Sequence, residues 1–135
     1  MSLRPYLCSA GKLTIGIGHN MEAYPLPFEM QIIVDAGNPI TEEMAFEIFR
    51  DDVMRARTDA EHFDWFHLLS YDRQLVIVCM IFQMGLGGVR QFKKMCEALE
   101  RGDSEEAARQ MMDSKWAKSD SPARAKRMAK MMREG

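Results

Sequence analysis

Gly11–Asn20 reads GKLTIGIGHN, with Cys8 just ahead of it. Leu13, Ile15 and Ile17 alternate with Thr14, Gly16 and Gly18, a period of two that predicts a strand with one apolar face. Glycine weakens a strand, so two at alternate positions imply that another backbone or a ligand approaches that face closely. The polar pair His19 and Asn20 ends the run. The stretch reads as one wall of a cleft, built from strand backbone and a threonine hydroxyl. On period and composition alone it reads equally as a small hairpin with glycines for curvature.

Working outward, Arg4–Leu7 is a second strand, joined to Lys12–Ile17 by the turn Ser9-Ala10-Gly11. From His19 to Pro39 the chain is irregular, because Pro25 and Pro27 block helix, and Gln31–Val34 is expected as a brief strand. Thr41 is a good N-cap, and Glu42 and Glu43 place negative charge on the first turn, where the helix dipole favours it. Met44, Ile48, Phe49 and Val53 follow at helical spacing, which predicts a long helix over about 41–60. The aromatic-rich His62–Leu69 is expected as one short helix packing on the core. Asp72–Met84 holds the apolar run Leu75–Phe82, which predicts a helix buried all round, ended by Gly85, Gly87 and Gly88. Phe92–Arg101 is a further helix, stopped by Gly102 at C′. Asp103 with Glu106 forms a capping-box pattern for Ser104–Met112. Ser121 and Pro122 form an N-cap and N1 pair for a last helix to about Arg133. The fold class is α+β and predominantly helical. A small β-containing lobe with its connecting helix (1–60) precedes a helical lobe (61–135).

The 135 residues suit one domain or two small lobes sharing a core. A net charge of -2 gives no drive towards nucleic acid or membrane, and no nucleic-acid motif accompanies the basic last helix. The run Leu75–Phe82 is too short to span a bilayer. Three cysteines cannot form a complete set of pairs, which suits a reducing cytoplasm, and Cys79 reads as a small core residue. The thirteen methionines read as core filler, not as a metal site. Met1–Leu3 and the closing Glu134-Gly135 look like expression-vector scars, which would make the natural sequence truncated or a fragment. No signal peptide is visible, so any export information would lie upstream or in a partner.

TIGIGH, after a tyrosine and a short turn, is followed in order by ITEEMAFEIFRDDV, MIFQMG, and SKW with SPARAKR. These segments, running from about Arg4 to Arg133, resemble the phage-type lysozymes, the endolysins that cut bacterial peptidoglycan. The resemblance implies a lysozyme-like fold and a glycoside hydrolase cutting the N-acetylmuramic acid to N-acetylglucosamine bond. It implies a phage or prophage origin, synthesis in the host cytoplasm, action on the cell wall after release, and no cofactor.

A glycosidase of ordinary type needs a carboxylic acid to protonate the leaving oxygen. It also needs a group opposite that stabilises the oxocarbenium ion, activates water or attacks. The family places these as Glu, eight residues, Asp or Cys, five residues, Thr; Cys8, five residues and Thr14 match the second half. By resemblance, Cys8 takes the aspartate position and Thr14 positions the attacking water. A thiol of pKa about 8.5 is mostly neutral at pH 7 unless shifted. The family's spacing puts the glutamate before Met1, and Glu22, on the far side of the strand segment, does not match it. The acid-bearing N-terminal helix is therefore expected to be missing.

Gln83, in FQMG, matches a position whose amide would hydrogen-bond a sugar, and Gly18 belongs to the same substrate-binding set. The family pairs the histidine of TIGIGH with an aspartate on the connecting helix, here His19 and Asp52, in a structural role. Arg124 and Arg127 match basic residues flanking the missing acid helix, whereas Lys126 and Lys130 form a solvated basic face. Trp116 is expected to pack in the C-terminal lobe. The missing helix would leave an apolar groove near the last helix, lined by some of Met128, Met131 and Met132, for a homodimer or swapped assembly to cover. The alternative function is a degenerate, non-catalytic prophage remnant that at most binds glycan.

Overall fold

The computed structural model describes all residues, Met1–Gly135, as two compact units, Met1–Arg55 and Ala56–Gly135. In the first unit, β1 (Ser2–Leu7), β2 (Leu13–Gly16) and β3 (His19–Asn20) form an antiparallel sheet in that order. Tyr6 pairs with Thr14, and Thr14 in turn with Asn20. The tight turn between β1 and β2 is closed by Cys8 N–H on the Lys12 carbonyl at 2.9 Å and Gly11 N–H on the Cys8 carbonyl at 2.8 Å.

The strand is shorter than its alternation suggests. β2 stops at Gly16, and Ile17-Gly18 turns the chain into β3. Gly16 and Gly18 have φ of 65° and 71°, so the glycines serve a turn as well as a close approach. The approach is to Ala45, whose Cβ would lie 3.5 Å from a Cβ added at Gly16.

Gln31–Val34 is not a strand. It lies in helix α1 (Phe28–Asp35), which starts directly after Pro27. Proline blocks a helix interior but is tolerated at a helix start, where its missing N–H has no partner to lose. Met30, Ile33 and Val34 share the helix face turned to the small core of Ile15, Leu26, Ile40, Ala45 and Ile48. Helix α2 (Glu42–Ala60) begins where Thr41 predicts, with the Thr41 hydroxyl accepting from Met44 N–H at 3.1 Å.

The second unit is helical. His62–Leu69 is only a turn with one 3-10 segment, Phe66–Leu68, although Phe63, Trp65 and Phe66 are buried as expected. Phe63 and Trp65 stack at 4.5 Å, and this packing takes precedence over continued helix. Helix α3 (Tyr71–Arg90) is capped by Ser70, whose hydroxyl accepts from Arg73 N–H. Gly85, at φ 79° and ψ 164°, breaks it, but the helix resumes through Gly87 and Gly88 to Arg90 instead of ending there. By length and composition the whole of α3 could cross a membrane, unlike its short apolar run, but Val76, Ile77, Val78, Met80, Ile81 and Val89 are buried in this unit's core.

Nor is α3 buried all round. Cys79 is exposed, so it is not a core residue. Helix α4 (Lys93–Glu100) ends before Gly102 at φ 78°, and α5 (Ser104–Met112) carries the expected Asp103 cap on Glu106 N–H at 3.0 Å. The reciprocal half of the capping box is not formed, because the Glu106 carboxylate takes Gln110 and Arg109 instead. A single π-helical turn, Trp116–Asp120, closes with Ser121 N–H on the Trp116 carbonyl at 2.8 Å. Helix α6 (Pro122–Glu134) follows; its last carbonyls, of Met132 and Arg133, accept from the Arg73 guanidinium. Of the three methionines expected near a groove, Met132 is fully buried, and Met128 and Met131 are half-buried against the core.

Candidate active site

Cys8 and Thr14 meet at the β1–β2 hairpin. Cys8 is half-buried in the turn, and Thr14 is buried opposite it at 4% exposure. Backbone hydrogen bonds from Lys12, then Ala10, hold the Cys8 thiol below its ordinary pKa; burial opposes them, and the Thr14 hydroxyl adds a lowering smaller than the burial effect. The shift is downward because turn backbone that folds around a sulfur stabilises the thiolate. A turn of this kind is not legible in residue types, which is why the sequence leaves the thiol neutral. The Thr14 hydroxyl also donates to the Lys12 carbonyl at 2.8 Å. Its one proton thus has two acceptors, and its lone pairs remain to accept from a water. Gly18 is exposed at the turn between β2 and β3.

The first acidic residue of the chain, Glu22, is already engaged: Leu13 N–H donates to its carboxylate at 2.7 Å. It pins the start of β2.

His19 and Asp52, at 4% and 7% exposure, form the expected pair in the first unit. His19 Nδ1 lies 2.9 and 3.0 Å from the two Asp52 oxygens, and Nε2 lies 2.8 Å from the Tyr24 carbonyl. Both partners are acceptors, so the arrangement favours the imidazolium, in which both ring nitrogens donate. Burial is the largest single influence on His19 and opposes that charge. The Asp52 hydrogen bond, the Tyr24 carbonyl and the Asp52 charge together outweigh it and raise the pKa, with Arg55 opposing. Arg55 also reaches Asp52 at 3.0 Å and lies over the Tyr24 ring at 3.7 Å. Sequence reasoning missed Tyr24 and Arg55. The only signal for Arg55 was its position three residues after Asp52 on a helix.

In the second unit, Gln83 Nε2 donates to the Ser121 hydroxyl at 2.8 Å. Ser121 is therefore not the side-chain cap of α6; its hydroxyl serves Gln83 and its N–H serves the π turn. Gln83 Oε1 and Trp116 Nε1 are buried and have no protein partner. Trp116 packs at 6% exposure, edge-on to Phe92 at 6.2 Å. Arg124 and Arg127 are exposed on α6, and the charge of Arg124 acts on Cys79. Hairpin, histidine pair and glutamine–serine contact all involve residues of the ordered motifs that resemble the phage-type lysozymes.

Comparison with known proteins points the same way. The chain is 33% identical over 132 residues to the pre-baseplate central spike protein Gp5 of Enterobacteria phage T4. That match covers 86% of this chain and 23% of Gp5, so the chain spans about a quarter of the length of that relative. The profile of the phage lysozyme family matches residues 1–133. A match from β1 to the last turn of α6 takes in every element described above: the chain belongs to the phage lysozyme family.

Proposed function

We propose that this chain is the cleft-bearing part of a peptidoglycan hydrolase that cuts the N-acetylmuramic acid to N-acetylglucosamine bond. The observation that carries the reading is the Cys8–Thr14 hairpin, where a thiol held below its ordinary pKa sits beside a threonine hydroxyl. The fraction of that thiol that ionises stabilises positive charge at the anomeric carbon from one face of the sugar ring. Thr14, its proton held by backbone, presents lone pairs to the water that adds there. Gln83 and Gly18 bind the glycan, and Arg124 and Arg127 orient the general acid. That acid is a glutamate eight intervening residues ahead of Cys8, a position preceding Met1, and Glu22 does not replace it because its carboxylate is committed to Leu13. Such an enzyme is made in the bacterial host cytoplasm and reaches the wall after release.

General acid catalysis contributes about a hundred- to ten-thousand-fold. The 135 residues alone should therefore clear a peptidoglycan suspension very slowly or not at all. A chain extended upstream with a glutamate at the family's spacing should recover clearance, and Glu→Gln at that position should abolish it. Turbidity loss, run on both lengths at matched concentration, decides the matter. Equal rates would place the acid within the residues shown and overturn the assignment. The likeness to a protein named as a central spike favours a second reading, in which the domain serves as a wall-cutting or wall-binding module of a larger phage assembly. Glycan pull-down by the short chain without turnover would support binding alone.

A further inference from the structure

Helix α2 carries an exposed, largely apolar patch formed by Phe46, Phe49, Arg50, Val53 and Met54, all from the helix itself. Phe46, Val53 and Met54 are 50%, 36% and 62% exposed. Phe46, Phe49, Arg50 and Val53 stand at i, i+3, i+4 and i+7. That is the four-residue hole into which a side chain of a facing helix inserts in knobs-into-holes packing. The patch is apolar apart from one cation, and Glu42, Glu43 and Glu47 precede it on the same helix.

We propose that α2 is a self-association surface, occupied by α2 of a second copy of this chain running antiparallel. The charge order of the helix argues for a second copy over an unrelated helix. Acidic residues crowd its first turns and Arg50 follows, so an antiparallel copy brings each acidic stretch towards the other's cation. With the two-fold axis beside Phe49 and Arg50, Phe46 packs on the second copy's Val53. Arg50 lies over the second copy's Phe49, a cation–π arrangement, and Glu47 flanks the second copy's Arg50. A two-fold interface of this kind uses the same patch on both molecules and closes at a dimer. The stripe from Phe46 to Met54 is about 12 Å long at 1.5 Å per residue. Its area falls below that of a standard interface, so dissociation is expected on the order of 0.1–1 mM. The proposal is independent of catalysis, since no candidate catalytic residue lies in the stripe.

Sedimentation equilibrium from 10 µM to about 2 mM, a span chosen around that estimate, tests it. The wild type should show a reversible monomer–dimer equilibrium, with amide shift changes confined to α2. Phe46→Glu should weaken association at least tenfold, while a Phe28→Glu, Ile32→Glu variant on exposed α1 should dimerise like wild type. Arg50→Glu should weaken dimerisation, and Glu47→Arg combined with Arg50→Glu should recover the part due to the charge pair, the cation–π contact staying lost. All these positions are exposed, and unchanged circular-dichroism melting checks that each variant is folded. A wild type monomeric throughout, or association unaltered by Phe46→Glu, would overturn the proposal. So would a charge-swapped double variant no tighter than Arg50→Glu alone.

Discussion

Two hydrogen bonds from one buried ring, to the Asp52 carboxylate and the Tyr24 carbonyl, couple His19 to the pH dependence of the first unit. Its pKa is raised by folding, so its stabilisation is fully present below about 6.5, the unfolded value, and is lost as pH climbs through the folded value. Denaturant titration across that window should show stability falling with rising pH, and NMR should place the His19 midpoint above 6.5. A midpoint at or below that value would rule the pair out. Asp52→Asn should cost about 3 kcal/mol, because it leaves a buried imidazolium uncompensated. Cys8 makes the opposite case, a group whose charged form is favoured. Neighbouring atoms that keep water from part of Cys79, exposed though it is, and the burial of Cys96 raise both thiols. Alkylation followed by mass spectrometry should therefore label Cys8 at lower pH than either, and Thr14→Val should move its midpoint up. Labelling in the reverse order would contradict the hairpin geometry. In the upstream-extended chain, Cys8→Asp should keep or raise clearance.

Among the elements, α3 is the one whose backbone departs most from its residue pattern. Gly85 sits at φ 79° and ψ 164°, a region open essentially to glycine alone. Nothing lies within 4 Å of where a Cβ would go, so Gly85→Ala should be destabilising through backbone strain only, by about 1–3 kcal/mol. An unchanged midpoint in urea would mean the break is soft. The caps are simpler. Thr41→Ala and Asp103→Ala each remove one bond to an orphan helix N–H and should cost about 1 kcal/mol. Ser121→Ala is expected to behave differently, because its hydroxyl holds Gln83 and caps nothing. Its effect should appear in glycan binding more than in melting.

At the scale of the whole molecule, the two units have unequal cores. Six buried side chains, from Ile15 to Ile48, serve the first, whereas twenty-two, from Ala56 to Met132, serve the second. Local stability follows buried apolar contact. Native-state hydrogen exchange should therefore give Ile15 a lower opening free energy than Ile77, with the gap widening as pH rises past the His19 midpoint. Equal values would mean that the chain opens as one cooperative body. By itself the sequence determined the features that depend on near neighbours. Thr41, Asp103 and Gly102 mark helix ends through atoms a few residues away, the alternation after Gly11 marks the strand, and the order of motifs marks the family. Only the tertiary structure decided what depends on distant groups. Residues 28–35 are helical because Met30, Ile33 and Val34 together find the small core. Cys79 lies exposed within an apolar run, which no run of residue types encodes. Ser121 serves a glutamine 38 residues away, and His19 meets Asp52 across 33. Hydrogen bonds across such separations form only once the chain has folded, so the raised pKa of His19 is a property of the fold.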